Sequence, residues 1–232
     1  MRVLIVQNYE KTGLGQIGVA LEEAGAQIDI RNAHLGEALP SGTSDHDAIV
    51  VLGGGQNALD DANSPHFPEL LSLMREFADT DRALLGVCLG SQLLARAYGA
   101  DNLIGAAREF GWCEVALTGE AADDPVLSAA PARFSIFQWH DDTFTLPRTA
   151  TRLAGNMVAH NQAFRIGRAA YGMQFHFEAH RPMVRQWNAD FADLIASNQP
   201  AWLARYPAEE ARHGEAADAT GLALARAWVA TI

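Results

Sequence analysis

Two stretches of the chain combine residue types that can do covalent chemistry. In the first, the apolar run Ala83-Leu84-Leu85 leads into Gly86-Val87-Cys88-Leu89-Gly90, and a helical pattern continues from Ser91 through Ala95. Strand, glycine-flanked tip and helix in that order describe a nucleophile elbow, with the reactive residue at the tip. Gly86 and Gly90 suit a turn in which two backbones approach where a Cβ would clash. A Cys88 sulfur at that tip would be accessible and would face a helix N-terminus, whose free N–H groups and dipole favour a thiolate. The competing reading is a small buried cysteine behind a core strand, a common place for free Cys.

The second stretch is Gln174-Phe175-His176-Phe177-Glu178-Ala179-His180. Read as a strand end, it projects His176 and Glu178 to the same face. A carboxylate beside an imidazole holds it by one nitrogen and favours its charged form, leaving the other nitrogen to exchange a proton with a thiol. Cys88, His176 and Glu178 then form a nucleophile, base and orienter. Two rival readings stand beside this one. His176, Glu178 and His180 could share a metal, although the spacing is not the helical His-Glu-x-x-His pattern. Alternatively, His176 and Glu178 are a structural polar pair.

Two glycine clusters remain. Gly13-Leu14-Gly15-Gln16-Ile17-Gly18 is formally G-x-G-x-x-G between a strand and a helix, a weak dinucleotide signal because the preceding loop is long and Asp29 falls too early for a ribose-binding acid. Gly53-Gly54-Gly55 follows the buried run Asp47–Leu52 and can present bare backbone N–H groups to a ligand at a strand's carboxyl end.

The elements that must position these groups follow from periodicity. Arg2–Val6, Gln27–Ile30, Asp47–Leu52 and Arg82–Val87 read as strands, with helices after the Gly13 loop, over Pro68–Ala78 and after Cys88. That alternation predicts a mostly parallel twisted sheet with helices on both faces. After Gly99 the runs shorten and partly alternate, over Glu114–Leu117, Phe134–Gln138, Arg152–Ala154 and Ala163–Ile166, which predicts antiparallel additions. Ala170–His176 is again an apolar run. Helices are expected over Pro182–Ala196 and Leu222–Ala230, with a helix and loop over Pro207–Thr220. The expected organisation is one α/β domain over 1–232, with a core of about 1–197 and a C-terminal helical extension of about 198–232.

Composition narrows the function classes. A hydrophobic content of 49% supports a sizeable core and argues against disorder. A net charge of −11 with no basic patch disfavours nucleic acid and anionic membranes as partners. Two cysteines in 232 residues are no disulfide framework, and free thiols fit a reducing cytoplasm. The N-terminal run is too short for a signal peptide, and no apolar run is long enough to span a membrane.

The motifs resemble one family. Cys88-Leu89-Gly90-Ser91-Gln92 is similar to the nucleophile motif of the class I glutamine amidotransferases. Gln174–Glu178 is similar to their histidine–glutamate motif, and Gly53-Gly54 to their oxyanion strand. Trp139–Phe144 and Asn161–Phe164 extend the likeness to stand-alone members resembling the glutaminase domain of GMP synthase. The sequence departs from the pattern at Ser91 (often His), Gly55 (often Pro), Phe177 (usually Pro) and Asp141 (commonly Gly). Phe177 is thereby expected to crowd the mouth of the site, and Gly55 to loosen the loop.

The resemblance implies a flavodoxin-like fold in which Cys88 attacks the side-chain amide of glutamine. His176 would move the proton, Glu178 would orient it, the Gly54 and Leu89 N–H groups would form the oxyanion hole, and Gln92 and Gly53 would contact substrate. No metal or organic cofactor is implied. No segment reads as an ATP-binding or synthetase module, so the ammonia is expected to pass to a separate synthetase, another acceptor or bulk water. A γ-glutamyl hydrolase or peptidase using the same three residues is the alternative activity.

Overall fold

A computed structural model describes residues 1–232. Its strands are β1 (Arg2–Gln7), β2 (Gln27–Asn32), β3 (Ala48–Val51), β4 (Ala83–Val87), β5 (Asn102–Leu103), β6 (Glu109–Leu117), β7 (Arg133–His140), β8 (Thr143–Phe144), β9 (Ala150–Gly155), β10 (Ala163–Ile166) and β11 (Ala170–Met173). Nine of them form one sheet in the order β2-β1-β3-β4-β11-β10-β9-β6-β7. The first five are mutually parallel, and the rest pair antiparallel. β5 and β8 make a separate antiparallel pair.

The apolar runs become central strands because both of their faces are covered. Successive side chains of a strand point to opposite faces. Accordingly Val3, Ile5, Ala48 and Val50 enter one hydrophobic core, and Leu4, Val6, Ile49 and Val51 enter the other. The first core is closed by α1 (Gly15–Glu23) and the second by α2 (Phe67–Asp79) and α3 (Leu89–Ala97). The predicted fold class, a mostly parallel α/β sheet with antiparallel additions, is the one found.

The C-terminal third differs from expectation in two places. The helix expected over Pro182–Ala196 is two, α4 (Arg181–Asp190) and α5 (Ala192–Asn198), broken at Phe191. The expected helix and loop over Pro207–Thr220 is continuous helix: α6 (Trp202–Glu209) runs through a π-helical turn at Glu210–Gly214 into α7 (Glu215–Val229). Its anchors are aromatic. Trp202 and Trp228 are both essentially fully buried in the first core, and Trp228 Nε1 donates to the Leu84 carbonyl of β4 at 3.3 Å. Residues 198–232 therefore cover the sheet that carries Cys88 instead of trailing from it.

Candidate active site

Three neighbouring parallel strands deliver the predicted site residues to one place. β3 ends in Gly53–Gly55, β4 ends at Cys88, and the chain leaving β11 reaches His176. This is the carboxyl edge of the parallel strands, the usual location of ligand sites in open α/β sheets.

The Cys88 turn has the strain expected of an elbow. Cys88 sits at φ 51°, ψ −108°, and only one other non-glycine residue, Asp81, has positive φ. Such a backbone costs on the order of 1–3 kcal/mol and persists only where its surroundings fix it. Here the Cys88 N–H donates to Met173 O at 2.8 Å, joining the turn to β11. The Cys88 carbonyl accepts from the N–H groups of Ser91 (2.9 Å) and Gln92 (3.1 Å) and from Ser91 Oγ (2.7 Å). Ser91 thus staples the turn from the position where the resembled family often has His. A Cβ on Gly86 would run into the Gly90 backbone, and one on Gly90 into the Val51 carbonyl oxygen. Both glycines are set by close backbone approach, as their spacing predicts.

His176 and Glu178 meet, although not by the strand geometry their spacing suggested. β11 ends at Met173; His176 makes a single antiparallel bridge to Phe137 of β7, and Phe177-Glu178 is a turn. The turn still brings His176 Nδ1 to 2.7 Å from Glu178 Oε1, with both side chains buried. The Gly13 loop explains why the turn holds. Gln16 N–H donates to Glu178 O at 3.0 Å, Gln16 Nε2 donates to Phe177 O at 3.2 Å, and a Cβ on Gly15 (φ +46°) would strike the Glu178 carbonyl. Of the glycines in the formal dinucleotide pattern, Gly15 serves the approach of one backbone segment to another.

Burial alone would lower the His176 pKa. The charges of Glu178 and Cys88, with the hydrogen bond to Glu178, outweigh it and hold the imidazole well above the ordinary histidine value. His176 Nδ1 is engaged by Glu178, and the Cys88 thiol donates to Trp139 O at 3.8 Å. Gly53 explains how the three groups fit. An ideal Cβ there would lie 3.3 Å from His176 Cε1 and 3.5 Å from Cys88 Cβ. Gly53 is therefore packed behind the pair, while Gly54, Leu89 and Gln92 line the cavity above it.

That cavity encloses about 790 Å³, with Cys88 and His176 in its lining. Leu89 is the first residue of α3, where helix geometry leaves N–H groups free. Gly54 approaches so closely that a Cβ on it would lie 2.8 Å from Leu89 Cδ2. The glycine loop is held from beneath. Asn8 Nδ2 donates to Leu52 O (2.9 Å), Gln56 Nε2 to Asn8 O (2.7 Å) and His66 Nε2 to Asn8 Oδ1 (3.1 Å). Burial, with the nearby His34 charge, pushes the His66 pKa down. Gly55 has no heavy atom within 4 Å of where its Cβ would be and no positive φ.

Sequence reasoning missed two contributors. Gln174 accepts from Gln92 Nε2 at 3.2 Å and donates from Nε2 to Cys88 Sγ at 3.7 Å, which links the elbow to the predicted substrate contact. Its signal was present, two residues before His176 in the same motif. Trp187 of α4 stacks edge-on against His176, centroids 5.3 Å apart, and nothing local in the sequence marks it. One expectation and one rival reading fail. Phe177 is fully buried in the core, packed on Phe175, and does not crowd the mouth. His180 does not join His176 and Glu178, because it caps α4 and its Nδ1 accepts from Met183 N–H. No three His, Cys, Asp or Glu side chains converge in a way that could hold a metal. The second cysteine, Cys113, is pushed up to about 11 by burial and the Glu109 charge, so it remains a thiol at neutral pH.

The chain is similar to known proteins over most of its length. Residues 6–191 match the family model of the class-I glutamine amidotransferases. The glutamine amidotransferase-like protein YfeJ of Salmonella typhimurium is 29% identical over 181 residues, covering 77% of this chain and 76% of that protein. A glutamine-hydrolysing GMP synthase subunit of Natronomonas pharaonis is 28% identical over 203 residues, 85% of this chain and 99% of that protein. The chain spans 34% of the full-length GMP synthase of Thermomicrobium roseum, to which it is 28% identical over 191 residues. Among solved structures, a glutamine amidotransferase of Thermotoga maritima superposes with a TM-score of 0.86 at 28% identity, covering 98% of both chains. No helix is long and apolar enough to cross a membrane. With its matched region running through all three strand ends that build the site, the chain belongs to the class-I glutamine amidotransferase family.

Proposed function

We propose that the chain hydrolyses the side-chain amide of glutamine through a thioester on Cys88. The observation that carries this reading is the buried His176–Glu178 pair, which holds the imidazole pKa up beside a sulfur at a strained turn. The Cys88 thiolate attacks the amide carbon, and the developing oxyanion is received by the N–H groups of Leu89 and Gly54. His176 passes its proton to the departing ammonia. Water, deprotonated by His176, then opens the thioester and releases glutamate. Glu178 orients His176 and stabilises its charge. Gln92, held by Gln174, contacts the bound glutamine, and Gly53 leaves room for Cys88 and His176 to touch. The free thiolate suffices for this chemistry without a metal or organic cofactor.

The ammonia passes to a separate acceptor enzyme, in line with the similarity to the Natronomonas pharaonis GMP synthase subunit. Ammonia release from glutamine, measured on the isolated chain and again with a candidate ATP-dependent amidating partner, tests both statements. We expect glutamate and ammonia in equal amounts, and faster turnover when the cognate partner is present. No ammonia under either condition would overturn the activity; an unchanged rate across candidate partners would remove the partner alone.

A further inference from the structure

The large sheet has two edge strands, β2 and β7. β7 is met by the chain leaving β11, where the His176 N–H donates to Phe137 O at 2.8 Å. β2 is open and pairs with no strand but β1. That register runs unbroken from Arg2↔Gln27 to Gln7↔Asn32. The Gln27 N–H donates inward, to Met1 O at 2.9 Å. Backbone groups of a parallel strand alternate in direction, so Gln27, Asp29 and Arg31 bond toward β1 while Ile28, Ile30 and Asn32 face outward. Asn32 is stopped by Glu37, whose Oε2 accepts from the Asn32 N–H at 2.7 Å. The N–H and C=O groups of Ile28 and Ile30 have no partner in the chain.

Proteins ordinarily blunt such an edge with proline, lysine, a bulge or extreme shortness. β2 is six residues long and has none of these. Its charges are instead of opposite sign, Asp29 and Arg31, on one face and flanking Ile30. Ile30 lies on the other face, paired beside the buried Ile5, yet it is 48% exposed. Consider two copies pairing antiparallel about a two-fold axis. With the axis at Ile30, Ile30 opposes Ile30 and each Asp29 opposes an Arg31. With the axis at Asp29, the two carboxylates oppose each other, which is destabilising. With the axis at Ile28, Asp29 meets Gln27 and Arg31 meets Gly25, and neither charge is matched. Charge therefore selects the Ile30 axis. Arg2 and Arg31 already reach Asp29 within one copy, at 2.7 Å and 3.1 Å, and pairing adds a guanidinium from the other.

We infer that β2 is a self-association edge, through which two copies of the chain join antiparallel about Ile30 into one continuous sheet. The interface is isologous, so every contact is made twice. The Ile30 N–H of each copy donates to the Ile30 C=O of the other, and the two exposed side chains cover each other. The contact is short and each copy carries a net charge of −11, so association is weak and concentration-dependent. β1 and β3 stand between β2 and the strand that carries Cys88, so the paired edge is remote from the cavity.

Sedimentation equilibrium of the full chain, from about 1 µM to about 0.5 mM, spans the range in which weak association registers. The average mass should rise toward twice that of the chain. Ile30→Pro is the discriminating variant. It removes only an outward N–H that β1 does not use, and an edge strand accepts proline where its N–H faces solvent. Both central bonds are lost together, and self-association should weaken tenfold or more. Arg31→Glu leaves the backbone intact, sets carboxylate against carboxylate twice, and should weaken association by a similar factor; it decides the matter if the proline variant does not fold. With oxidised glutathione, Ile30→Cys should form a disulfide between two copies, because opposed residues stand about 5.5 Å apart at Cα. Gln27→Cys, far from its own counterpart, should not. A monomer at every concentration would overturn the inference. So would a dimer unmoved by either Ile30→Pro or Arg31→Glu in folded protein, or cross-linking of Gln27→Cys and not of Ile30→Cys.

Discussion

Cys88→Ala is expected to lose glutamine turnover by about five orders of magnitude or more, the scale on which removal of a nucleophile silences a triad. The fold should survive, because alanine keeps the Cβ and the turn's hydrogen bonds are made by backbone and Ser91. Cys88→Gly separates function from stability further. At φ 51° the cysteine backbone is strained, and glycine adopts that region freely. The glycine variant should be equally inactive yet unfold at a denaturant midpoint no lower than that of the alanine variant. The comparison is thus inactive and strained against inactive and relaxed. Turnover in either variant within a hundredfold of wild type would exclude Cys88 as the nucleophile.

The second large effect is an inequality between His176 and Glu178. His176→Ala removes the proton carrier and should cost about as much as loss of Cys88. Glu178→Gln keeps the ring's position while removing the charge that favours its imidazolium, and should cost roughly 10²–10⁴-fold. Its pH profile is the sharper readout. The His176 pKa is raised in the fold, against burial, by the Glu178 and Cys88 charges. Activity that needs the imidazolium is therefore retained to alkaline pH and lost as pH rises through the raised value. In Glu178→Gln that alkaline limb should move to lower pH. Stability follows the same sign. The contribution of the raised pKa is complete below the unfolded histidine value of about 6.5 and is lost as pH rises through the folded one. The wild-type midpoint should accordingly fall on the alkaline side more than that of Glu178→Gln. An unmoved alkaline limb would show that Glu178 does not set the charge of His176.

The legible parts of this molecule are those governed by local rules. β4, the elbow and α3 were readable because an apolar run, two glycines and a helical pattern each report a backbone constraint, and the clashes at Gly86 and Gly90 are those constraints. The meeting of His176 with Glu178 was also readable, but for the wrong local reason. A carboxylate two residues from a histidine can reach it from a strand or from a turn, and pairing of His176 with β7, at the far end of the sheet order, selected the turn. The Gly13 loop carried only a weak dinucleotide signal because close backbone approach to a protein carbonyl and to a phosphate demand the same residue. Trp187 and the α6–α7 cover were not readable. Their roles come from contacts across the chain, such as Trp187 to Lys11 and Trp228 to Leu84, which no periodicity reports.

The function proposed for this chain depends on one sulfur being a nucleophile poised toward a glutamine side chain. The most direct test is covalent labelling with 6-diazo-5-oxo-norleucine, a glutamine analogue whose diazoketone alkylates a bound thiolate with loss of nitrogen, followed by peptide mass spectrometry. The expected result is one equivalent on Cys88, none on Cys113, protection by excess glutamine, and slower labelling of Cys88 in the His176→Ala variant. Labelling of Cys113 in place of Cys88, or labelling of Cys88 that glutamine does not slow, would contradict the assignment.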